Sequence, residues 1–108
     1  MTAVLRLERK GTLWRAHRQC YDVVLDGTVV ATVANGEAVT VAIPEGHHVV
    51  WLATVGRRSA QLNFSVRAGE MAAYRGHAGA WGSPALEPDR TEPIPEDVSC
   101  QIRLRRPA

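Results

Sequence analysis

The chain has 108 residues, of which 45% are hydrophobic and 22% charged, and its formal net charge is +2. This length fits one domain, and the hydrophobic fraction is too high for a disordered chain. The longest mostly apolar run, residues 49–55, is far shorter than the about 20 residues that a membrane helix needs. The first residues show no basic region followed by an apolar core, so we predict no signal peptide and a cytoplasmic location.

Alternation of apolar and polar residues predicts β-strands along most of the chain. The clearest case is residues 60–67, where Leu62, Phe64 and Val66 share one face of the strand. Within residues 48–55 the apolar residues fall on both faces, which is typical of a central strand. The predicted strands are residues 3–9, 12–16, 19–26, 28–34, 38–43, 47–56, 59–67, 70–75 and 98–105.

Turn signals separate these strands at intervals of about 10 residues, the rhythm of β-sandwiches and barrels. The pairs Asp26-Gly27 and Asn35-Gly36 are typical of tight hairpins, and Pro44-Glu45-Gly46 predicts a further turn. Consecutive strands should then be antiparallel neighbours or cross between two sheets. Because one open sheet would leave an apolar face uncovered, we predict an all-β fold without substantial helix. Its architecture is an antiparallel two-sheet sandwich of about eight or nine short strands, Ig-like or PEGA-like.

Residues 77–97 interrupt the strand pattern with four of the six prolines and five acidic residues. An irregular loop of this length usually indicates function, disorder or a linker. Alternation resumes afterwards, with Val98, Cys100 and Ile102 on one face. We therefore predict a sandwich core at 1–76, an acidic proline-rich strap at 77–97, and a C-terminal strand within 98–108. That strand would return to the core or reach a neighbouring chain.

The order of features between Tyr21 and Tyr74 resembles the PEGA-type modules of bacterial proteins, which are small β-sandwich domains. The resemblance lies in a strand that ends in Asp26-Gly27, a second short strand, and the turn Pro44-Glu45-Gly46 followed by two histidines and a long strand. One departure is Ala34-Asn35-Gly36-Glu37, where such modules commonly carry Thr-Pro. The resemblance implies an accessory or interaction module without common catalytic residues.

The histidines and cysteines are the first candidates for chemistry. The adjacent His47 and His48 should point to opposite faces of a strand, so they cannot easily hold one ion together. A metal or enzyme site would need convergence with other histidines or with Cys20 or Cys100; the further histidines are His17 and His77. We expect both cysteines to be buried thiols, and a disulfide stays open if their strands pair or face each other.

No motif for nucleophilic catalysis, phosphate binding or dinucleotide binding occurs, so we predict no enzyme, no cofactor and no catalytic residue. Eight basic residues near the two termini could form a basic strip that binds an anionic polymer such as nucleic acid; they are Arg6, Arg9, Lys10, Arg15, Arg18, Arg103, Arg105 and Arg106. As partner-binding candidates we single out Arg15, Arg18, Arg103, Arg105 and Arg106. Few aromatic residues accompany them, which argues against nucleic acid.

Trp81 lies among small residues, where it would either close the sandwich edge or face a partner. The leading prediction is a non-enzymatic module that binds another protein or a second copy, with a homodimer formed through the C-terminal strand as one route. The anionic-polymer and histidine-site readings are its alternatives.

Overall fold

The computed structural model describes residues 2–11, 20–78 and 83–96, and the structural statements below concern these residues. Every element whose bounds it gives is a β-strand. The strands are β1 (Thr2–Arg9), β2 (Tyr21–Leu25), β3 (Thr28–Val33), β4 (Ala38–Pro44), β5 (Gly46–Thr54), β6 (Arg57–Arg58), β7 (Leu62–Val66), β8 (Glu70–Ala78) and β9 (Pro84–Pro93). In this part of the chain no helix is long and apolar enough to cross a membrane.

The strands form two packed sheets, which confirms the all-β two-sheet sandwich. The first sheet has the order β4-β1-β8-β9, and the second has the order β3-β2-β5, with both β6 and β7 paired to the far side of β5. The pairings are antiparallel except for β1 with β8, which is parallel. Strand β5 is central in its sheet, as its apolar sequence predicts.

The core lies between the sheets and is built from the inward residues of each strand. Leu5, Val23 and Leu52 are almost completely buried there. Arg9 is also buried, and its guanidinium lies 3.9 Å from the centre of the Tyr21 ring, where a cation–π contact stabilises it.

Two turns predicted from similar dipeptides play different roles. Asp26 and Gly27 both have positive φ, of 51° and 85°, and close the predicted hairpin between β2 and β3. The turn at Asn35 and Gly36 instead carries the chain from β3 in the second sheet to β4 in the first, so these strands are not hairpin partners. The carboxylate of Glu37 accepts a hydrogen bond from the Ala34 N–H at 2.8 Å, which holds this crossing turn.

The predicted strand at 59–67 is shorter in the structure: β7 begins at Leu62, whereas β6 (Arg57–Arg58) lies in the predicted turn before it. The reason is Ser59, whose N–H donates to the Leu52 carbonyl at 2.8 Å while its hydroxyl accepts from the Leu52 N–H at 2.9 Å. The side chain thus replaces one ladder hydrogen bond, and its hydroxyl donates in turn to the Ala60 carbonyl. The chain leaves the β5 ladder there and rejoins it at Leu62.

The prediction of an irregular strap at 77–97 is wrong for much of that segment. Strand β8 continues to Ala78, and β9 is a ten-residue strand antiparallel to it. Prolines fit because β9 is at a sheet edge, where a missing N–H can face away from the ladder. The Ile94 N–H donates to the Gly69 carbonyl at 2.9 Å and so faces β8. Because main-chain groups alternate along the ladder, the nitrogen of the preceding residue, Pro93, faces away from β8. The strap also contributes to the core, since Leu86 is buried.

The two cysteines and two of the predicted strands lie at or beyond the ends of the described ranges. Cys20 is a free and exposed cysteine, so the expectation that it is buried is wrong: it precedes β2 rather than lying in it. Cys100 and the predicted strands at 12–16 and 98–105 lie outside the described residues.

Candidate functional site

The edge strands β3 and β4 lie on one side of the sandwich, which we call the open side. β3 ends the second sheet and β4 ends the first, and the crossing turn joins them. Neither strand contains a charged residue, and their one proline, Pro44, is the last residue of β4. Natural sheets usually protect their edges with charges, prolines or bulges, because free edges pair with other strands. The open side has little of this protection.

The core is incompletely covered along the open side. Val30 and Ala31 of β3 and Val39 and Val41 of β4 pack against the core but remain partly exposed. Inward residues of β1 such as Leu5 are fully buried. We call these four partly exposed residues the apolar seam. The open side therefore combines free main-chain groups with apolar side chains, the two components that an added strand can use.

The opposite edge of the first sheet, formed by β9, is different. Leu86 of this strand is buried and closes the core. Three prolines occur along the strand, at Pro84, Pro88 and Pro93. Its charged residues are Glu87, Asp89, Arg90 and Glu92. The same molecule thus has one strongly protected sheet edge and one that lacks charge.

The hydrogen-bonding groups of β4 can be assigned from one contact beyond its end. The Arg9 N–H donates to the Glu37 carbonyl at 2.8 Å, in continuation of the β1–β4 register. Because main-chain groups alternate along an antiparallel ladder, Val41 faces β1, whereas Thr40 and Ala42 direct their N–H and C=O groups to the open side. No described strand pairs with them there.

β3 presents a less regular edge than β4. Its register with β2 shifts between Val23 and Val24, which leaves Val30 as an extra residue without a direct partner. Such a bulge twists an edge and interferes with further pairing. The pairing of β4 with β1 continues without a shift from Thr2–Pro44 to Glu8–Ala38. Among the described strands, β4 is therefore the regular edge that has no partner on the open side.

A buried histidine fixes the turn that ends β4. The Nδ1 of His48 lies 2.6 Å from Oδ2 of Asp26, and its Nε2 lies 2.7 Å from the Pro44 carbonyl oxygen. Both partners are acceptors, so the ring donates from both nitrogens and is an imidazolium. Asp26 also receives the Val49 N–H at 2.9 Å and donates its own N–H to the Val49 carbonyl at 2.8 Å. The pair thus ties the β2–β3 hairpin to the start of β5.

The two groups shift each other's pKa. Burial alone would lower the pKa of His48, but its hydrogen bonds to Asp26 and Pro44 outweigh burial and raise the pKa above 6.5. The hydrogen bonds from His48 and from the Val49 N–H lower the pKa of Asp26 below 3.8. Both shifts favour the charged forms of the pair, and both ring nitrogens of His48 are engaged in holding the fold.

The described histidines do not converge. His47 lies within 3.2 Å of the Ser65 hydroxyl, and His77 lies 3.7 Å from Glu87 on the other sheet. His17 is outside the described residues. Among the described residues, no group of three or more His, Cys, Asp or Glu side chains could hold a metal ion.

The predicted partner-binding residues cannot be placed on this surface. All of them lie outside the described residues: Arg15, Arg18, Trp81, Arg103, Arg105 and Arg106. Binding of an anionic polymer by a terminal basic strip stays a prediction. The β4 edge was not predicted, although the sequence carries a signal for it: residues 28–34 and 38–44 are two neighbouring strand patterns without a single charge.

Two comparisons with known proteins give no family for this chain. No protein-family model matches it, and no curated protein matches it.

Proposed function

We propose that this protein is a non-enzymatic, PEGA-like interaction module, and that a partner binds it by adding a β-strand to the free edge of β4. The resemblance of residues 21–74 to PEGA-type modules supports the class. The exposed thiol of Cys20 supports a reducing compartment such as the cytoplasm, where thiols persist.

The observation that carries the proposal is the contrast between the two edges of the first sheet. β9 carries prolines and charges, whereas β4 carries no charge and directs the main-chain groups of Thr40 and Ala42 outward. Selection against edge-to-edge pairing would be expected to act on both edges alike. An edge left free of charge beside a partly exposed apolar seam suits regulated pairing with a specific strand.

The proposed pairing with β4 also implies a side-chain pattern and a length for the partner strand. A strand beside β4 would place every second side chain over the apolar seam, next to Val39 and Val41, and the others on the outer face beside Thr40 and Ala42. The outer face continues across β1 with Arg6 and is polar at that position. The partner strand should therefore alternate apolar and polar residues and contain about six or seven residues.

The experiment is capture of binding proteins with the full chain and two proline variants. Ala42→Pro removes an N–H that faces the open side, so it blocks an added strand without breaking the β1–β4 ladder. Thr91→Pro is the matched control on β9, because the alternation from Ile94 makes the Thr91 N–H face outward too. We expect a protein captured by the wild type and by Thr91→Pro to be lost with Ala42→Pro. Equal capture by all three proteins would refute binding at β4.

A further inference from the structure

We propose that the strand added to β4 is the β4 strand of a second copy, so that two chains form one continuous sheet across a two-fold axis. This inference rests on the proposed function, because it names the occupant of the same edge. Four features of β4 support it: its symmetric register, the direction of its hydrogen-bonding groups, its apolar face and its lack of charge.

The first feature is the register. Two antiparallel copies of one strand must place some residue opposite itself, because directly opposed residues share a face of the sheet. Val41 is the middle residue of β4 (Ala38–Pro44). With the axis beside Val41, Ala38 of one copy lies opposite Pro44 of the other, and the whole strand pairs. Strand β3 offers no equivalent register, because its bulge at Val30 interrupts the pairing.

The second feature is the match of hydrogen-bonding groups. In this register Thr40 lies opposite Ala42 of the second copy, and both residues direct their N–H and C=O groups to the open side. Each such pair can exchange two hydrogen bonds, and the two-fold axis repeats the pair. The Pro44 carbonyl already accepts from Nε2 of His48, so the Ala38–Pro44 pair adds no hydrogen bond to this count. Pro44 has no N–H to donate, and as the last residue of β4 it leaves the centre of the pairing intact.

The third feature is the match of side chains. Val41 would face its own copy, and Val39 would face Ile43 of the second copy, all on the inner side of the sheet. The two apolar seams would then meet and cover each other. On the outer side Thr40 would lie beside Ala42 of the second copy. Direct cross-strand apolar pairs of this kind stabilise a sheet.

The fourth feature is charge. β3 and β4 carry none, so the pairing buries no charged side chain of either strand. The nearest acidic residues are Glu37 and Glu45, which flank β4; in this register Glu37 of one copy would lie opposite Glu45 of the other. Repulsion between like charges is therefore confined to the two ends of the junction, and the paired residues between them carry no charge.

The test is sedimentation velocity of the full chain over a range of concentrations, with Ala42→Pro and Thr91→Pro beside the wild type. We expect a concentration-dependent dimer for the wild type and for Thr91→Pro. For Ala42→Pro the loss of two central hydrogen bonds and the bulk of two proline rings should weaken self-association at least about tenfold. Thermal unfolding of each variant checks that the monomer is folded.

A pair of charged variants keeps the test independent of proline. Combining Thr40→Glu with Ala42→Lys would place opposite charges across the junction, and combining Thr40→Glu with Ala42→Glu would place like charges there. We expect the first double variant to dimerise and the second to remain a monomer. If both double variants and Ala42→Pro dimerise like the wild type, the proposed junction is wrong.

The outcomes separate this inference from the proposed function. If the wild type stays monomeric at all concentrations but captures another protein, and Ala42→Pro abolishes that capture, the occupant of the edge is not a second copy. Strand addition to β4 is still supported in that case. A dimer that Ala42→Pro does not affect, together with capture that it does not affect, overturns both.

Discussion

The hydrogen-bonded pair of His48 and Asp26 makes stability depend on pH in a direction that can be worked out. The perturbation is Asp26→Asn. Asparagine tolerates the positive φ of 51° at this position and its oxygen can still accept the Val49 N–H, so the turn and that bond survive. The negative charge is lost, and the Nδ2 amide that replaces Oδ2 is a donor that cannot accept from His48, so the charge-assisted bond of 2.6 Å is lost as well.

The magnitude follows from the environment of the two groups. A charge-assisted hydrogen bond is worth about twice a neutral one of about 1 kcal/mol. The imidazole is nearly buried, but 47% of the Asp26 side chain is exposed, so solvent screens part of the gain. We therefore expect Asp26→Asn to lower the free energy of unfolding by about 1 kcal/mol near pH 5.5, a loss of roughly 4 °C in Tm.

The pH dependence has a defined sign on each side. The pKa of His48 is raised in the folded state, so its contribution is full below about pH 6.5 and is lost as pH rises through the folded pKa. The pKa of Asp26 is lowered, so its contribution is present above about pH 3.8 and is lost as pH falls through the folded pKa. The pair therefore stabilises the wild type most between these limits, and Asp26→Asn should remove both slopes.

Urea unfolding of the wild type and Asp26→Asn at a series of pH values, followed by circular dichroism, measures these slopes. His47→Ala is the matched control, because it removes the exposed neighbour of His48 and leaves the bond between His48 and Asp26 in place. The charge of His47 is the last of the causes that lower the pKa of Asp26, so the slope through the His48 pKa should be unchanged and the acid slope slightly reduced. A difference between wild type and Asp26→Asn that is as large at about pH 9 as at about pH 5.5 would refute the reasoning.

Three substitutions test the packing, each by urea unfolding. Gly76→Ala would bring a Cβ within 2.8 Å of Leu52 Cδ1, which is buried, so we expect a loss of about 1–2 kcal/mol; an unchanged stability would mean that Leu52 is free to move. Gly46→Ala should cost at least about 1 kcal/mol because φ is 127°, and a neutral result would contradict this backbone conformation. Tyr21→Phe should be neutral or slightly stabilising, since the buried hydroxyl has no hydrogen-bond partner among the described residues and the ring stays under Arg9; a loss above about 1 kcal/mol would contradict that.

The sequence is sufficient to predict the fold class and most of the described strands, because both depend on local patterns. The sequence pattern predicts strands at 28–34 and 38–43, and the structure has β3 and β4 within one residue of these bounds. The Asp26-Gly27 pair predicts a hairpin, and both residues have the positive φ values that such a turn needs. Alternation does not reveal which strands become neighbours. The parallel pairing of β1 with β8 joins segments such as Val4 and Met71, which are remote in sequence, and no local signal specifies it.

β9 shows why a residue pattern can mislead. Prolines and acidic residues are typical of loops, and they led to the prediction of an irregular strap. At a sheet edge the same residues are compatible with a strand, because the N–H that proline lacks can face away from the ladder and charges discourage further pairing. The free edge of β4 was overlooked for the converse reason. Whether Thr40 and Ala42 direct their main-chain groups to a neighbour or to an edge depends on the order of the strands.

The central claim, that a strand adds to β4, can be tested most directly by amide hydrogen exchange at Thr40 and Ala42. Exchange is measured in the full chain at low concentration and again under conditions where it associates, with a second copy or with a captured partner. Val41, whose N–H already faces β1, is the internal reference. The account predicts that Thr40 and Ala42 exchange rapidly in the free chain and slow by at least about tenfold on association, while Val41 is protected in both states. Association that leaves the exchange of Thr40 and Ala42 unchanged would contradict it.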